Sequence, residues 1–311
     1  MDFEESKVQF LDLFKSITND NDRTEFLHWL KDDLLPELDT NTNRNSPASI
    51  KIEKIAADIR KKLPLDAIMK TENIVYPTIG DDSNLTSANT VHIDAFLYDE
   101  KAEDALVEEG LLSKSYCADC GSKNIEDLTF ITHSCSKERL EFMFGDLLPP
   151  LAGDMTVIDI GSRIGAVLYG AYFYSEAKNI IGIEINSELC NLQRFVVEKH
   201  NLGDRISILE GDMAGMAEVI KTGDVVILNN VFEWFMDPEM QINMWKFLRS
   251  TFKSGTLLVT IPSLESSLEH LDTGICLESW VKPMKMFNEE SLGARTEDQV
   301  EESDVCLYQI L

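Results

Sequence analysis

Apolar residues in the second half of the chain fall into short runs rich in Val, Ile and Leu, separated by stretches where they recur every three or four residues. The runs predict strands at 155–160, 179–185, 205–210, 223–229 and 256–261. The stretches between them predict helices at about 164–175, 187–200, 213–221 and 238–252, the last opened by Asp237 and Pro238 as N-cap and first helical residue. Runs that are apolar throughout, without alternation, suit parallel strands covered by helices on both faces. The closing VCLYQIL, 305–311, predicts a terminal strand that pairs with a less distinct one between about 275 and 287. The acidic EESLGARTEDQVEESD before it predicts a solvated loop.

The first half follows a helical period. Phe10, Leu11, Phe14 and Ile17 share one face, and Phe26, Leu27, Leu30 and Leu34 share another, entered through Asp22 and Glu25 at capping-box spacing and closed by Pro36. After the polar DTNTNRNSP, a third helix from near Ser49 aligns Ile52, Ile55, Ala56, Ile59 and Leu63 and stops at Pro64. Residues 71–92 are rich in turn formers and read as a loop. A further helix is expected from about Asp94 to Glu109, ending at Gly110, and another from Ser136 to Leu151, broken by Pro149 and Pro150. These divisions give an N-terminal helical region over 1–112, a small cysteine-containing segment over 113–139 and a sheet domain over 140–311. The helical region reads as a small domain packing on its neighbour, or as a lid that selects substrate.

Composition narrows the partners. A chain of 311 residues that is 44% hydrophobic can bury a substantial core. With 28 basic against 55 acidic residues the formal net charge is −27, which repels polyanions and favours basic proteins, peptides and amines. Nucleic acid and membrane surfaces are therefore not expected partners. The N-terminus lacks the basic and apolar regions of a secretory signal, and no stretch approaches about 18 continuous apolar residues, so a cytoplasmic or nuclear protein is expected. The six cysteines then read as thiols or metal ligands. Cys117 and Cys120 have the CxxC spacing of half a zinc site, with Gly121 freeing the turn. His133 and Cys135 follow closely, but an HxC pair is not a standard second half, so a structural zinc stands beside plain thiols in a turn.

The candidate chemistry gathers where strands are predicted to end. In an open parallel sheet, ligands bind beyond the carboxyl ends of the strands. MTVIDIGSRIG, 155–165, turns from strand to helix through Asp159 and two glycines; the next strand ends in Glu184, the third in Gly211 and Asp212, the fourth in Asn229 and Asn230. Singly, each has a plain reading: Asp159 and Asp212 as caps, Glu184 as an exposed carboxylate, the asparagines as an Asx turn. Together, at four consecutive strand ends, they point to a cofactor. Glu184 stands 23 residues after Gly161, where an acidic side chain accepts both hydroxyls of a ribose. Arg163 and Ala166 occupy the two positions where a dinucleotide fingerprint needs glycine, which favours an adenosyl cofactor without phosphates and makes a nicotinamide oxidoreductase a weak rival.

The set VIDIGSRIG, GIEIN, LEGDM and VVILNNVFEWF resembles motifs I, post-I, II and IV of the class I S-adenosylmethionine-dependent methyltransferases, over roughly 140–311. The NN-aromatic form of motif IV is similar to that of the non-SET histone lysine methyltransferases. The resemblance implies a Rossmann-like, mainly parallel seven-stranded sheet and S-adenosyl-L-methionine as cofactor. It implies that Asp159, Gly161, Ser162 and Gly165 hold the aminoacyl part, that Glu184 binds the ribose, and that Asp212 and Met213 bind the adenine. Asn229 and Asn230 would align the acceptor, and Phe232 would wall the channel. Arg163 departs from the family pattern, which often has glycine there. The implied activity is N-methylation of a protein side chain or small amine, achieved by alignment without a dedicated base; Glu233, the nearest proton acceptor, reads better as a helix-start carboxylate. The alternative is a methyltransferase-like scaffold without catalysis. Trp29, Trp234, Trp245 and Trp280 read as core or interface anchors, of which only Trp234, next to motif IV, could line an acceptor pocket, and His28, His92, His200 and His270 read as surface or packed imidazoles.

Overall fold

A computed structural model describes residues 46–117, 125–288 and 304–311, with Phe14, Lys15, Ile17, Asn19, Arg23 and Phe26. Most of the two N-terminal helical stretches, with Asp22, Glu25 and Pro36, lie outside these residues, as do Cys120, Gly121 and all but the last residue of the acidic loop. The chain divides into two compact units, Met1–Lys51 and Ile52–Leu311, and every part of the site below belongs to the second.

A seven-stranded sheet organises that unit. Its strands are β5 (Thr156–Ile160), β6 (Asn179–Glu184), β7 (Ile206–Glu210), β8 (Val225–Asn229), β9 (Leu257–Ile261), β10 (Val281–Pro283) and β11 (Cys306–Ile310), in the order β10-β11-β9-β8-β5-β6-β7. β5 to β9 run parallel. β11 lies antiparallel between β9 and β10, so the indistinct partner expected for the terminal strand is β10. The strands lie within about two residues of their predicted places because fully buried parallel strands leave unbroken apolar runs. Strand order reverses at β5, whose neighbours are β6 and β8, and this switch opens a crevice beyond their carboxyl ends.

Helices Ala166–Tyr174 (α4), Ser187–Lys199 (α5) and Pro238–Thr251 (α7) follow their strands, and Asp237 caps α7 through the N–H of Met240 at 2.9 Å. The helix expected over 213–221 is split into a 3-10 turn, Met213–Gly215, and one helical turn, Ala217–Ile220 (α6). Helix α1, Pro47–Arg60, buries Ile52, Ile55, Ala56 and Ile59. Those side chains share one core with Phe96, Leu97, Leu140, Val157, Leu168, Val225 and Val259. At about 1.5–3 kcal/mol for each fully buried large aliphatic side chain, this ties residues 52–97 to the sheet.

Three local expectations change. The helix foreseen over 94–109 begins only at Glu100 (α2, Glu100–Glu108), because the Asp94 carboxylate accepts the N–H groups of Phe96 and Leu97 in a turn and Asp99 caps the helix through Ala102 at 2.9 Å. Over 136–151 the α-helix spans Lys137–Phe142 (α3) and a π turn, Met143–Leu147, follows before the chain becomes extended at Leu148, ahead of the prolines. The stretch 71–92 holds a 3-10 turn, Asp81–Asn84, and a short strand, β1 (Thr90–His92), parallel to β4 (Thr129–Ile131). β2 (Ser115–Cys117) and β3 (Ile125–Asp127) form an antiparallel pair. Among the described residues no helix is long and apolar enough to cross a membrane.

Candidate functional site

Beyond β5, β6, β7 and β8 lies a cavity of about 400 Å³. Gly161, Glu184, Asp212, Met213, Asn229, Asn230 and Phe232 line it, together with Arg163 and Ile185. Asp159, Ser162 and Gly165 do not. The Ser162 hydroxyl donates to Gln193 Oε1 at 3.0 Å, and the Asp159 side chain is buried at the end of β5. The N–H of Gly165 donates to Ser162 O at 2.6 Å and closes the turn.

The loop after β5 is made by three left-handed residues in five, Gly161 (φ +74°), Arg163 (φ +47°) and Gly165 (φ +88°). A Cβ on Gly161 would fall 2.2 Å from Val231 Cγ2, so the approach to the motif that follows β8 is possible only for glycine. The N–H groups of Gly161 and Ser162 both donate to Ile183 O, at 2.9 and 3.0 Å, pinning the loop to β6. Asn230 also adopts a left-handed conformation (φ +46°), and its N–H donates to Ile261 O at 2.6 Å.

Glu184 is buried at the tip of β6. One carboxylate oxygen accepts the Arg163 N–H at 2.8 Å and the other accepts the Asn186 N–H at 2.8 Å. Burial pushes its acidity range up, against the lowering effect of those two hydrogen bonds. Each oxygen keeps a second acceptor position for a ligand hydroxyl. Asp212 accepts the Ala214 N–H at 2.8 Å, so it caps the following turn as well as lining the cavity. Glu233 does not line the cavity and is hydrogen-bonded to Ser267.

Arg163 does something the sequence did not disclose. Its guanidinium is buried and reaches back into residues 67–134. Nε lies 3.0 Å from Glu72 Oε1, Nη1 lies 3.0 Å from Asp94 Oδ2, and Nη2 donates to Ala67 O at 2.7 Å. Both carboxylates are as buried as the cation, with side chains 5% and 1% exposed. The Ser134 hydroxyl donates to the same Asp94 oxygen at 2.5 Å. Burial still pushes Asp94 up, Arg163 opposing. Removal of one partner from such a group leaves a buried charge uncompensated.

This cluster brings Thr71, Glu72 and Asn73 to the cavity wall, and Thr71 is held there by Asn186 and Glu188, its hydroxyl donating to Glu188 Oε2 at 2.6 Å. His133 and Phe235 complete that side. None of these wall residues was expected from its local sequence except His133, considered only as a metal ligand. His133 instead pairs with His92, and Cys135 is buried in the core with its thiol pushed up to about 12 by burial. With Cys120 outside the described residues, the CxxC half-site has no placed partner; among the described residues no group of three His, Cys, Asp or Glu is arranged to hold a metal.

No protein-family model matches the chain, and no curated protein does. Among solved structures it is similar to a precorrin 8W decarboxylase of Methanobacterium thermoautotrophicum, at 18% identity over 49% of this chain and 76% of that one, TM-score 0.37. It is also similar to an RNA methyltransferase of Salinibacter ruber in complex with S-adenosyl-L-homocysteine (17%, 56% and 90%, TM-score 0.36) and to an O-methyltransferase of Bacillus cereus in complex with the same molecule (15%, 42% and 58%, TM-score 0.31). At these values the likenesses assign neither family nor reaction to this chain.

Two outcomes are expected from the site's own electrostatics. Arg163→Ala, which strands Glu72 and Asp94, lowers unfolding free energy by about 3–5 kcal/mol in urea titrations. Asp159 is pushed up to about 8, first by burial and then by repulsion from Glu184. Its folded state therefore holds a proton that the unfolded chain releases near pH 4, so the stability it contributes is complete below about pH 4 and is lost as pH rises towards 8. Asp159→Asn removes that loss, which is at most about 1.4 kcal/mol per pH unit, and urea unfolding at pH 5 and pH 8 reads the difference.

Proposed function

We propose that this protein is an S-adenosylmethionine-dependent methyltransferase acting on a nitrogen of a protein side chain or small amine. The observation that carries the proposal is convergence: four successive parallel strands deliver Gly161, Glu184, Asp212 with Met213, and Asn229 to one cavity. Its volume falls within the roughly 300–1,000 Å³ of small-molecule sites. The donor set fits an adenosyl group. Glu184 has free lone pairs for a ribose, Ile185 is 69% exposed on the cavity wall, and Met213 offers a second apolar face to a base. Among the described residues Arg163 is the one cation on the wall, and it is already paired twice, so none of those residues offers a free positive charge to a pyrophosphate.

The cofactor would supply an activated methyl group on a sulfonium. What the chain contributes is alignment, which suffices for in-line displacement on so reactive a donor. Gly161 and its neighbours leave room for the aminoacyl end, Glu184 fixes the ribose, and the Asn229 and Asn230 side-chain carbonyls accept hydrogen bonds from a neutral amine and aim its lone pair without adding charge. Phe232 closes the far wall. The net charge of −27 favours basic proteins and amines over nucleic acid as acceptor.

The test is incubation with methyl-labelled S-adenosylmethionine and fractionated cell extract. Label is expected in the protein or small-amine fraction, and Gly161→Val is expected to weaken cofactor binding about a hundredfold or more, some 3 kcal/mol, since the branched side chain meets Val231. Label in RNA or DNA alone overturns the acceptor class. An intact protein that binds no cofactor and labels nothing supports a scaffold instead.

A further inference from the structure

The cavity wall includes His133 as well as the residues at the strand ends, with Phe235 beside it. β1 and β4 place it there: His92 pairs with Ile131 across the two-stranded sheet, and His133 follows Ile131 by two residues, beside His92. The two imidazoles lie edge to edge, with centroids 5.1 Å apart and planes 25° from parallel, and His133 also meets Trp234 at 5.8 Å and Phe235 at 5.2 Å. The ring is 6% exposed. Burial, the nearby Arg163 cation and His92 all hold it neutral.

Its two nitrogens are not equivalent. Nε2 lies 3.0 Å from His92 Nδ1, whereas Nδ1 is buried and has no hydrogen-bond partner among the described residues. A chain of contacts continues outward: His92 Nε2 lies 3.5 Å from the Tyr76 hydroxyl, that hydroxyl lies 3.4 Å from Thr90 Oγ1, and Thr90 donates to Thr86 O at 2.7 Å. Only one ordering of protons gives every link a donor. Tyr76 donates to Thr90, His92 Nε2–H to Tyr76, and His133 Nε2–H to His92, leaving a lone pair on His133 Nδ1. The reverse ordering would leave an N–H orphaned among aromatic rings, the costlier and rarer case.

We propose that His133 is a positioning residue for the methyl acceptor: its Nδ1 lone pair takes a hydrogen bond from the attacking nitrogen, and the His92–Tyr76–Thr90 chain holds that lone pair in place. The assignment rests on the methyltransferase reading of the cavity. In the transfer, the amine lone pair forms the new N–C bond as the C–S bond breaks and its electrons pass to sulfur as a thioether. The product leaves as the protonated methylamine and loses its proton in solvent. His133 keeps its own charge throughout, so it acts as a neutral acceptor beside Asn229 and Asn230 and not as a base.

Sinefungin tests this without knowledge of the acceptor: the ammonium it carries in place of the sulfonium methyl lies on the line along which the acceptor nitrogen approaches, and its N–H groups need the same hydrogen-bond acceptors as that nitrogen. Calorimetry on the intact protein should show wild type preferring sinefungin to S-adenosylhomocysteine. His133→Phe should lose about fivefold in sinefungin affinity, the worth of one hydrogen bond, and leave S-adenosylhomocysteine affinity unchanged. His133→Asn, with an oxygen near the Nδ1 position, should regain most of the loss, and His133→Leu replaces the Phe variant if the larger ring prevents folding. Unchanged sinefungin affinity in the Phe or Leu variant, or an equal loss for both ligands, overturns the assignment. Wild type that binds neither ligand overturns the methyltransferase reading itself, and the role of His133 with it.

Discussion

A buried guanidinium must be paired where it stands, and Arg163 stands in the loop that lines the cavity. Its left-handed backbone sends the N–H to Glu184 and the side chain into Glu72, Asp94 and the Ala67 carbonyl. One residue thereby fixes the carboxylate expected to bind ribose and anchors the irregular segment that brings Thr71, Glu72 and Asn73 to the cavity wall. Desolvation of three charged groups is tolerable only when all three are satisfied together, so loop, β6 tip and residues 67–94 must assemble as one arrangement. A glycine at this position would make the same turn without the side-chain contacts to Glu72, Asp94 and Ala67.

The sheet supplies the rest. Reversal of strand order at β5 opens the crevice, and the tips of β6, β7 and β8 present polar groups into it while the strands themselves stay apolar and covered. Parallel strands thus bring Glu184 and Asn229 to the cavity, while Asn73, His133, Asn230 and Phe235 reach it from irregular segments. Division of the work between scaffold and loops matches a reaction in which placement matters more than proton transfer.

Unbroken runs such as TVIDI and VVILN can serve as little other than buried parallel strands, so the sheet and its helices were legible from period alone. Gly161, Glu184 and Asn229 were legible because strand ends in such a sheet meet on one side. Asp159, Ser162 and Gly165 belong to the same loop but do not line the cavity, a distinction that spacing does not carry. Glu72 and Asp94 gave no signal, since each lies in a turn-rich or helix-like stretch and its partner is 91 or 69 residues away. The His92 and His133 contact spans 41 residues and depends on a two-stranded sheet too short to register as a pattern. The helix foreseen from Asp94 starts only at Glu100 for a local reason, the competition of that carboxylate for backbone N–H groups.

The central claim is that the cavity beyond β5 to β8 is an adenosyl-sulfonium site. Titration of the wild-type protein with S-adenosylhomocysteine, in the presence and absence of NAD, tests it most directly. The account predicts saturable binding of one molecule per chain that excess NAD does not displace. Binding of NAD in its place, or of neither molecule by a folded protein, would contradict it.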